Sequence, residues 1–349
     1  MKEVRALTSL RGVAAMWVFL FHLDLKRPMF PPGFLAWVPI GRGYIAVDLF
    51  FVLSGFVMAL TYRDSFQTRP FVVAYPDFLM RRVARVMPLN AVIVAVLAAA
   101  VWSGGRAGDT FATARNPWAI AANLFLVQDW GLFRSIDKPS WSVSVEMAVY
   151  LAYPVLLALA WSRRWWWAGL LTGLAALCWL ASVGQGSVSQ GLLVGDFIRG
   201  FAGFTFGLLC CRVFSGSGLP PRAGALDLLA VAALWATLLI FSDDLPAILV
   251  CPFLILFLAY ENGLVARLLN LGPLHYLGLI SYSIYLVHYA VLGGLNLLPI
   301  GSNGVYLAAA LVLTLTISTA TYYGVERPAR RWIGIGTTND KRPWSLPMS

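Results

Sequence analysis

The sequence predicts an all-α fold, a polytopic membrane helix bundle of about ten transmembrane helices with both termini cytoplasmic. Three observations carry that expectation. Of the 349 residues, 59% are hydrophobic and only 12% charged, against roughly 25% charged in soluble domains. Apolar runs of about 17 to 25 residues, the length that crosses a hydrocarbon core, recur from end to end. Lys and Arg are distributed unevenly about those runs: the "RRVAR", "WSRRW" and "ERPARRW" clusters fall on the side of the termini. The positive-inside rule makes that side cytoplasmic.

The opposite side carries its basic residues in the long segments 24–42 and 104–141, which have room for a polar substrate. The net charge of +10 is spread over short loops and not gathered on one soluble face, which argues against nucleic acid as a partner. One integral membrane domain over residues 1–335 is expected, with a short cytoplasmic tail at 336–349.

The first span, 6–23, contains "SLRGVAAMWVFLFHL" and lacks the small-residue cleavage site of a secretory signal. Eleven steps of 100° put Arg11 and His22 on one face, about 16 Å apart along the axis. Either Arg11 snorkels and His22 is interfacial, or both are functional. In the second span, 43–62, "VDLFFVLSGFVM" holds Asp48, Ser54 and Gly55. Ser-Gly in a membrane helix is more often a packing contact than a nucleophile, and no G-x-S-x-G elbow surrounds Ser54.

"RRVAR" opens the third span, 84–103. Arg82 and Arg85, three residues apart, form a fork that suits either an anionic cofactor's phosphates or lipid headgroups. "PWAIAANLFLVQDW" (117–130) is too short to cross and is expected at the interface or as a re-entrant segment. The fourth span, 142–161, begins "WSVSVEMAVY". It places Glu146 about one turn into the membrane, at a depth like that of His22, with Ser142 one turn away as a hydrogen-bond partner. A carboxylate there is either structurally paired or functional.

Trp165, Trp166 and Trp167 open the fifth span, 165–183, as an aromatic belt. Asp196 and Arg199 in the sixth, 192–214, have ion-pair spacing. Spans at 225–241 and 246–260 follow, with Pro246 and Pro252 expected near the ends of the latter. The ninth, 273–298, is the broadest and aligns Ser281, Tyr285 and His288 as a polar stripe, suited to a second catalytic histidine, an interhelical hydrogen bond or substrate contact. The tenth is 304–324. Cys178, Cys210, Cys211 and Cys251 lie inside apolar runs and suggest neither disulfides nor a metal site.

Together these segments resemble the acyltransferase 3 family of bacterial integral membrane proteins. Its Arg, ten residues, then His is matched by Arg11 and His22. Its Phe-Phe-x-x-Ser-Gly is matched by Phe50, Phe51, Ser54 and Gly55, its Arg-x-x-Arg by Arg82 and Arg85, and its Trp-Ser-x-x-x-Glu by Trp141, Ser142 and Glu146. "SYSIYLVH" and "VERPARRW" resemble its closing segments, so the likeness runs in order along nearly the whole chain.

The resemblance implies an O-acetyltransferase of the bacterial inner membrane. It would move an acetyl group from cytoplasmic acetyl-CoA, with no metal, to a hydroxyl of an extracytoplasmic glycan such as exopolysaccharide, O-antigen or a lipid-linked precursor. The chain resembles the stand-alone members, without an appended extracytoplasmic domain, and a homo-oligomer is compatible with it. Arg82, Arg85 and Arg11 are then expected on the donor. His22 would be the general base or a transient acyl carrier, and Glu146 the carboxylate that orients it. Asp48, Ser54, Trp141, Ser142, Tyr285 and His288 are expected to contact substrate or support these groups. The rival reading is a transporter or flippase whose buried Arg, His and Glu line a path; the lack of internal repeats weighs against it.

Overall fold

The computed structural model describes residues 3–103, 113–184, 193–216 and 225–335. The expected tail, 336–349, lies outside the described residues. With no water in a hydrocarbon core, backbone amides must be satisfied within each segment, and the apolar runs accordingly fold as helices. The described chain contains α1 (Arg5–Lys26), α2 (Ala46–Thr68), α3 (Phe71–Trp102), α4 (Trp141–Trp161), α5 (Trp166–Val183) and α6 (Leu193–Gly216). Two shorter apolar helices follow, α7 (Leu226–Ile240) and α8 (Leu245–Ala259). Next come α9 (Gly272–Leu279), α10 (Ser281–Leu295), α11 (Asn303–Thr321) and, after a π-helical turn at Tyr322–Glu326, α12 (Arg327–Ile335).

Among the described residues seven helices are long and apolar enough to cross a membrane, and α9 with α10 makes up to eight. The chain is thus a polytopic helical membrane bundle. Large apolar side chains project outward from its apolar helices, Val96, Val155, Leu229 and Val312 among them. On a soluble surface such a belt would be unfavourable, and lipid is the solvent that suits it. Trp37, Trp118, Trp165 and Trp332 are likewise exposed near helix ends, where amphipathic rings sit well at headgroup level.

The broadest expected span is not one helix. α9 and α10 are bent by 69° at a one-residue break, and the Oγ of Ser281 donates to the Gly278 carbonyl that the break frees. Pro252, expected near a span end, lies inside α8 without interrupting it. The segment 117–130 is a short helix, Pro117–Leu124, followed by a buried turn. The Nδ2 of Asn90 on α3 donates to the Asn123 carbonyl at 2.7 Å, and Asn123 is itself buried.

Close backbone approach organises the interior. A Cβ on Gly55 would run into the Phe204 carbonyl, and one on Gly207 into that of Val52, so α2 and α6 touch through their main chains. Where α1 crosses α9, Gly12 meets Leu277 and Gly278, and Gly278 meets the Thr8 carbonyl. We call the face where α1 begins basal and the opposite face distal. The α1–α9 crossing anchors α10 so that its His288 reaches the depth of His22.

Candidate active site

Near the distal end of α1, His22 is buried against α10. The Nδ1 of His288 is 3.0 Å from the Ile284 carbonyl, which can only accept, so that nitrogen carries hydrogen. With one proton per ring, the Nε2 of His288 is an acceptor, 3.1 Å from the Nδ1 of His22. The latter nitrogen also lies 3.1 Å from the Val18 carbonyl. Both contacts require hydrogen on Nδ1 of His22, which leaves its Nε2 as a bare base.

Rings and cations enclose this pair. Tyr289 meets His22 edge-on at 5.3 Å, and the Nζ of Lys26 lies 4.0 Å over the Tyr289 ring. One turn before His288, the Tyr285 hydroxyl is 2.8 Å from the Oγ of Ser142 and donates to the Pro139 carbonyl at 3.1 Å. With the Tyr285 hydrogen on Pro139, the Ser142 Oγ donates to the Tyr285 oxygen; among the described residues it makes no hydrogen bond to Glu146.

Glu146 faces the other way. Its Oε1 accepts from the Ser54 hydroxyl at 2.6 Å and the Tyr150 hydroxyl at 2.5 Å, and its charge acts on Arg11 and Arg82. Among the described residues Glu146 makes no hydrogen bond to His22, whose Nδ1 is met by His288. The Glu146 carboxylate lies on the side of the basal arginines Arg11 and Arg82.

Those arginines form the second half of the site. The Nη2 of Arg82 donates to the Tyr62 hydroxyl at 2.6 Å, and its guanidinium lies 5.0 Å over the Tyr62 ring. Arg11 and Arg85 are half-buried and have no hydrogen-bond partner among the described residues. They act electrostatically on one another and on Arg330 of α12. Unpaired guanidinium groups in such a setting suit a polyanion with several oxygens. Arg11 and His22 share one unbroken helix, and eleven rises of 1.5 Å separate the two halves by about 16 Å.

Asp48 and Trp141 serve a different structure. Arg199 makes two bonds to the Asp48 carboxylate, Nε to Oδ1 at 3.0 Å and Nη2 to Oδ2 at 2.8 Å, with both side chains buried. Its guanidinium lies 5.3 Å over the Trp141 ring. Asp196, the expected partner, is 3.6 Å away and secondary. Asp48 thus ties α2 to α6 in place of lining the path.

Sequence reasoning missed three groups. Tyr150 is four residues from Glu146, a spacing that marks helical neighbours. Arg330 stands four residues after Glu326, inside the "VERPARRW" stretch, where topology and family resemblance give this arginine no role. Asp137 is fully buried beside the distal half with both carboxylate oxygens unpartnered among the described residues; burial pushes its pKa well above the ordinary carboxylate range. No spacing rule flags a single loop aspartate. Among the described residues no group of His, Cys, Asp and Glu is arranged to hold a metal ion.

Comparison with known proteins identifies the chain's family. Over 340 residues the chain is 28% identical to a protein of Komagataeibacter xylinus named as a membrane-bound transacylase, BcsY, covering 93% of this chain and 82% of that one. It is 31% identical over 195 residues to the acyltransferase MdmB of Streptomyces mycarofaciens, covering 50% of this chain and 45% of MdmB. A Bacillus subtilis protein named as a peptidoglycan O-acetyltransferase, YrhL, is 23% identical over 367 residues, covering 94% of this chain and 55% of YrhL. The chain thus spans about half the length of MdmB and YrhL. No solved structure matches it. The family model described as an acyltransferase domain matches residues 4–323, and the chain belongs to the acyltransferase 3 family.

Proposed function

We propose that this protein is a bacterial cytoplasmic-membrane O-acetyltransferase that moves an acetyl group from acetyl-CoA to a hydroxyl of an extracytoplasmic glycan. The observation that carries the reading is the pairing of a bare imidazole nitrogen at the distal end of α1 with unpaired guanidinium groups at its basal end. The basal face is then cytoplasmic, where the donor is found. Arg11, Arg82 and Arg85 hold the donor's phosphates. Its pantetheine arm, roughly half as long as a bilayer is thick, carries the thioester toward His22.

At the distal end, Nε2 of His22 takes the proton of the acceptor hydroxyl as its oxygen attacks the thioester carbonyl. The tetrahedral adduct collapses by breaking the carbon–sulfur bond, and the CoA thiolate takes the proton back from Nε2. The products are an O-acetyl ester and free CoA. His288 holds the imidazole in the orientation and tautomer the step requires, and general-base assistance contributes roughly 10²–10⁴-fold. The relatives named as transacylase and O-acetyltransferases support this reaction class; the choice of a glycan acceptor rests on the resemblance of the motifs.

The test is reconstitution with labelled acetyl-CoA enclosed on the basal side of proteoliposomes and base-deacetylated surface polysaccharide outside. Label should appear as base-labile ester on the polysaccharide. Movement of intact donor or glycan across the bilayer, with no ester formed, would overturn the reading in favour of transport.

A further inference from the structure

Around the basal half, four guanidinium groups, those of Arg11, Arg82, Arg85 and Arg330, act on one another or on the same two carboxylates, Glu146 and Glu326. Positive charge therefore exceeds negative charge in a setting that water screens poorly. Three of these arginines lie on motifs visible in the sequence. The fourth arrives from the far end of the chain, by a device the motifs do not explain.

That device is the π-helical turn at Tyr322–Glu326, which joins α11 to α12. Such turns add a residue to the helical repeat and re-aim the side chains around it. Here Glu326 is turned into the bundle, where its side chain is fully buried. Its Oε1 accepts from the Ser283 hydroxyl of α10, and its Oε2 accepts from the Nη2 of Arg330 at 2.5 Å. Arg330 is one-third exposed, its Cζ lies 5.9 Å from the Tyr322 centroid, and its buried Nε has no partner among the described residues. One edge of the guanidinium is clamped, its charge acts on Arg11 and Arg85, and it has donors to spare.

We propose that Arg330 is a fourth ligand for the donor's phosphates, and that Glu326 is a positioning residue that fixes it through Ser283 to the helix carrying His288. The inference rests on the acyl-CoA reading above and extends it. It assigns the phosphate site to three segments far apart in sequence, α1, α3 and α12, so that a polyanion is needed to balance them. It also gives α10 a contact at each end of the path: Ser283 to the clamp on Arg330, and His288 to His22.

The full-length protein in nanodiscs can be titrated with CoA and with its phosphate-free fragment, pantetheine. Loss of one charge-assisted contact should weaken CoA binding by about 10- to 100-fold in Arg330→Gln. Pantetheine affinity should stay within about 2-fold, so the ratio of the two affinities falls. Glu326→Gln should lower the same ratio; a merely structural role would reduce the fraction of active protein and leave the ratio unchanged. Arg330→Lys keeps the charge without the planar fork and should fall between wild type and Arg330→Gln, which guards against a variant that fails to fold. If wild type binds CoA and Arg330→Gln binds it equally well, the inference is overturned while the acyl-CoA reading survives. If wild type binds no CoA, that reading falls and takes the inference with it.

Discussion

His288 acts on the chemistry only through His22, and the two should fail differently. His22→Ala should lower kcat by at least about 10²-fold with the donor KM nearly unchanged, since it removes the base itself. His288→Ala leaves the base but frees its tautomer and angle; kcat should fall about 10-fold or more with both KM values within about 2-fold. A wild-type kcat for His22→Ala in the reconstituted assay would remove His22 from the reaction. Asp129, in the buried turn before α4, offers a pH test. Burial first, and the charge of Asp196 second, push its pKa from 3.8 to about 6, against a hydrogen bond from Ser135. The folded state thus keeps this proton between about pH 4 and 6 while the unfolded chain releases it. Stability falls as pH rises through that window, by at most about 3 kcal/mol. Asp129→Asn should therefore raise Tm at pH 7.5 and make little difference at pH 4; equal shifts at both would refute the assignment. At this scale the sequence made Arg11, His22, Arg82 and Arg85 visible, because a charge in an apolar run stands out against its neighbours. It could not pair His22 with His288, which lies 266 residues away, nor show which way Glu146 points.

Among the elements, the α2–α6 contact is where helix identity and packing are most tightly tied. The two helices meet backbone to backbone at Gly55 and Gly207 and are locked by the buried Asp48–Arg199 pair. Gly55→Ala drives a methyl into the Phe204 carbonyl and should lower Tm clearly in detergent unfolding, whereas Gly293→Ala in α10 meets nothing within 4 Å and should be neutral. Asp48→Asn strands a buried guanidinium and should cost about 3–5 kcal/mol, while Asp48→Leu combined with Arg199→Met should recover much of that loss. A double variant as unstable as the single one would mean the pair does more than join helices. Element lengths were legible because hydrophobic thickness sets them. The 69° break between α9 and α10 was not, because an averaged apolar run is the same straight or bent; what fixes the bend is the glycine contact with α1, a partner outside the run. The Asp196–Arg199 spacing likewise suggested the nearer partner, and tertiary packing selected Asp48 on another helix.

For the whole molecule, direction is decisive. The proposed reaction needs donor and acceptor to arrive from opposite faces, so the Arg11 end must be cytoplasmic and the His22 end external. Lys and Arg distribution predicts that orientation from sequence; in the bundle the arginine cluster and the exposed Trp165 sit toward the basal end, and the exposed Trp37 follows the distal end of α1. Orientation is measurable without any assay of activity. Cys178, Cys210, Cys211 and Cys251 are unpaired, so a background with all four replaced by Ala or Ser can carry one new cysteine at a time. In intact spheroplasts, Trp37→Cys should react with a membrane-impermeant maleimide and Trp165→Cys should not; after permeabilisation both should react. The reverse pattern would put the guanidinium groups on the external side, away from any cytoplasmic acyl-CoA. It would exclude the proposed direction of transfer even if His22 proved essential. Labelling of both residues from outside would break the topology on which the 16 Å separation, estimated from the helical rise, acquires its meaning.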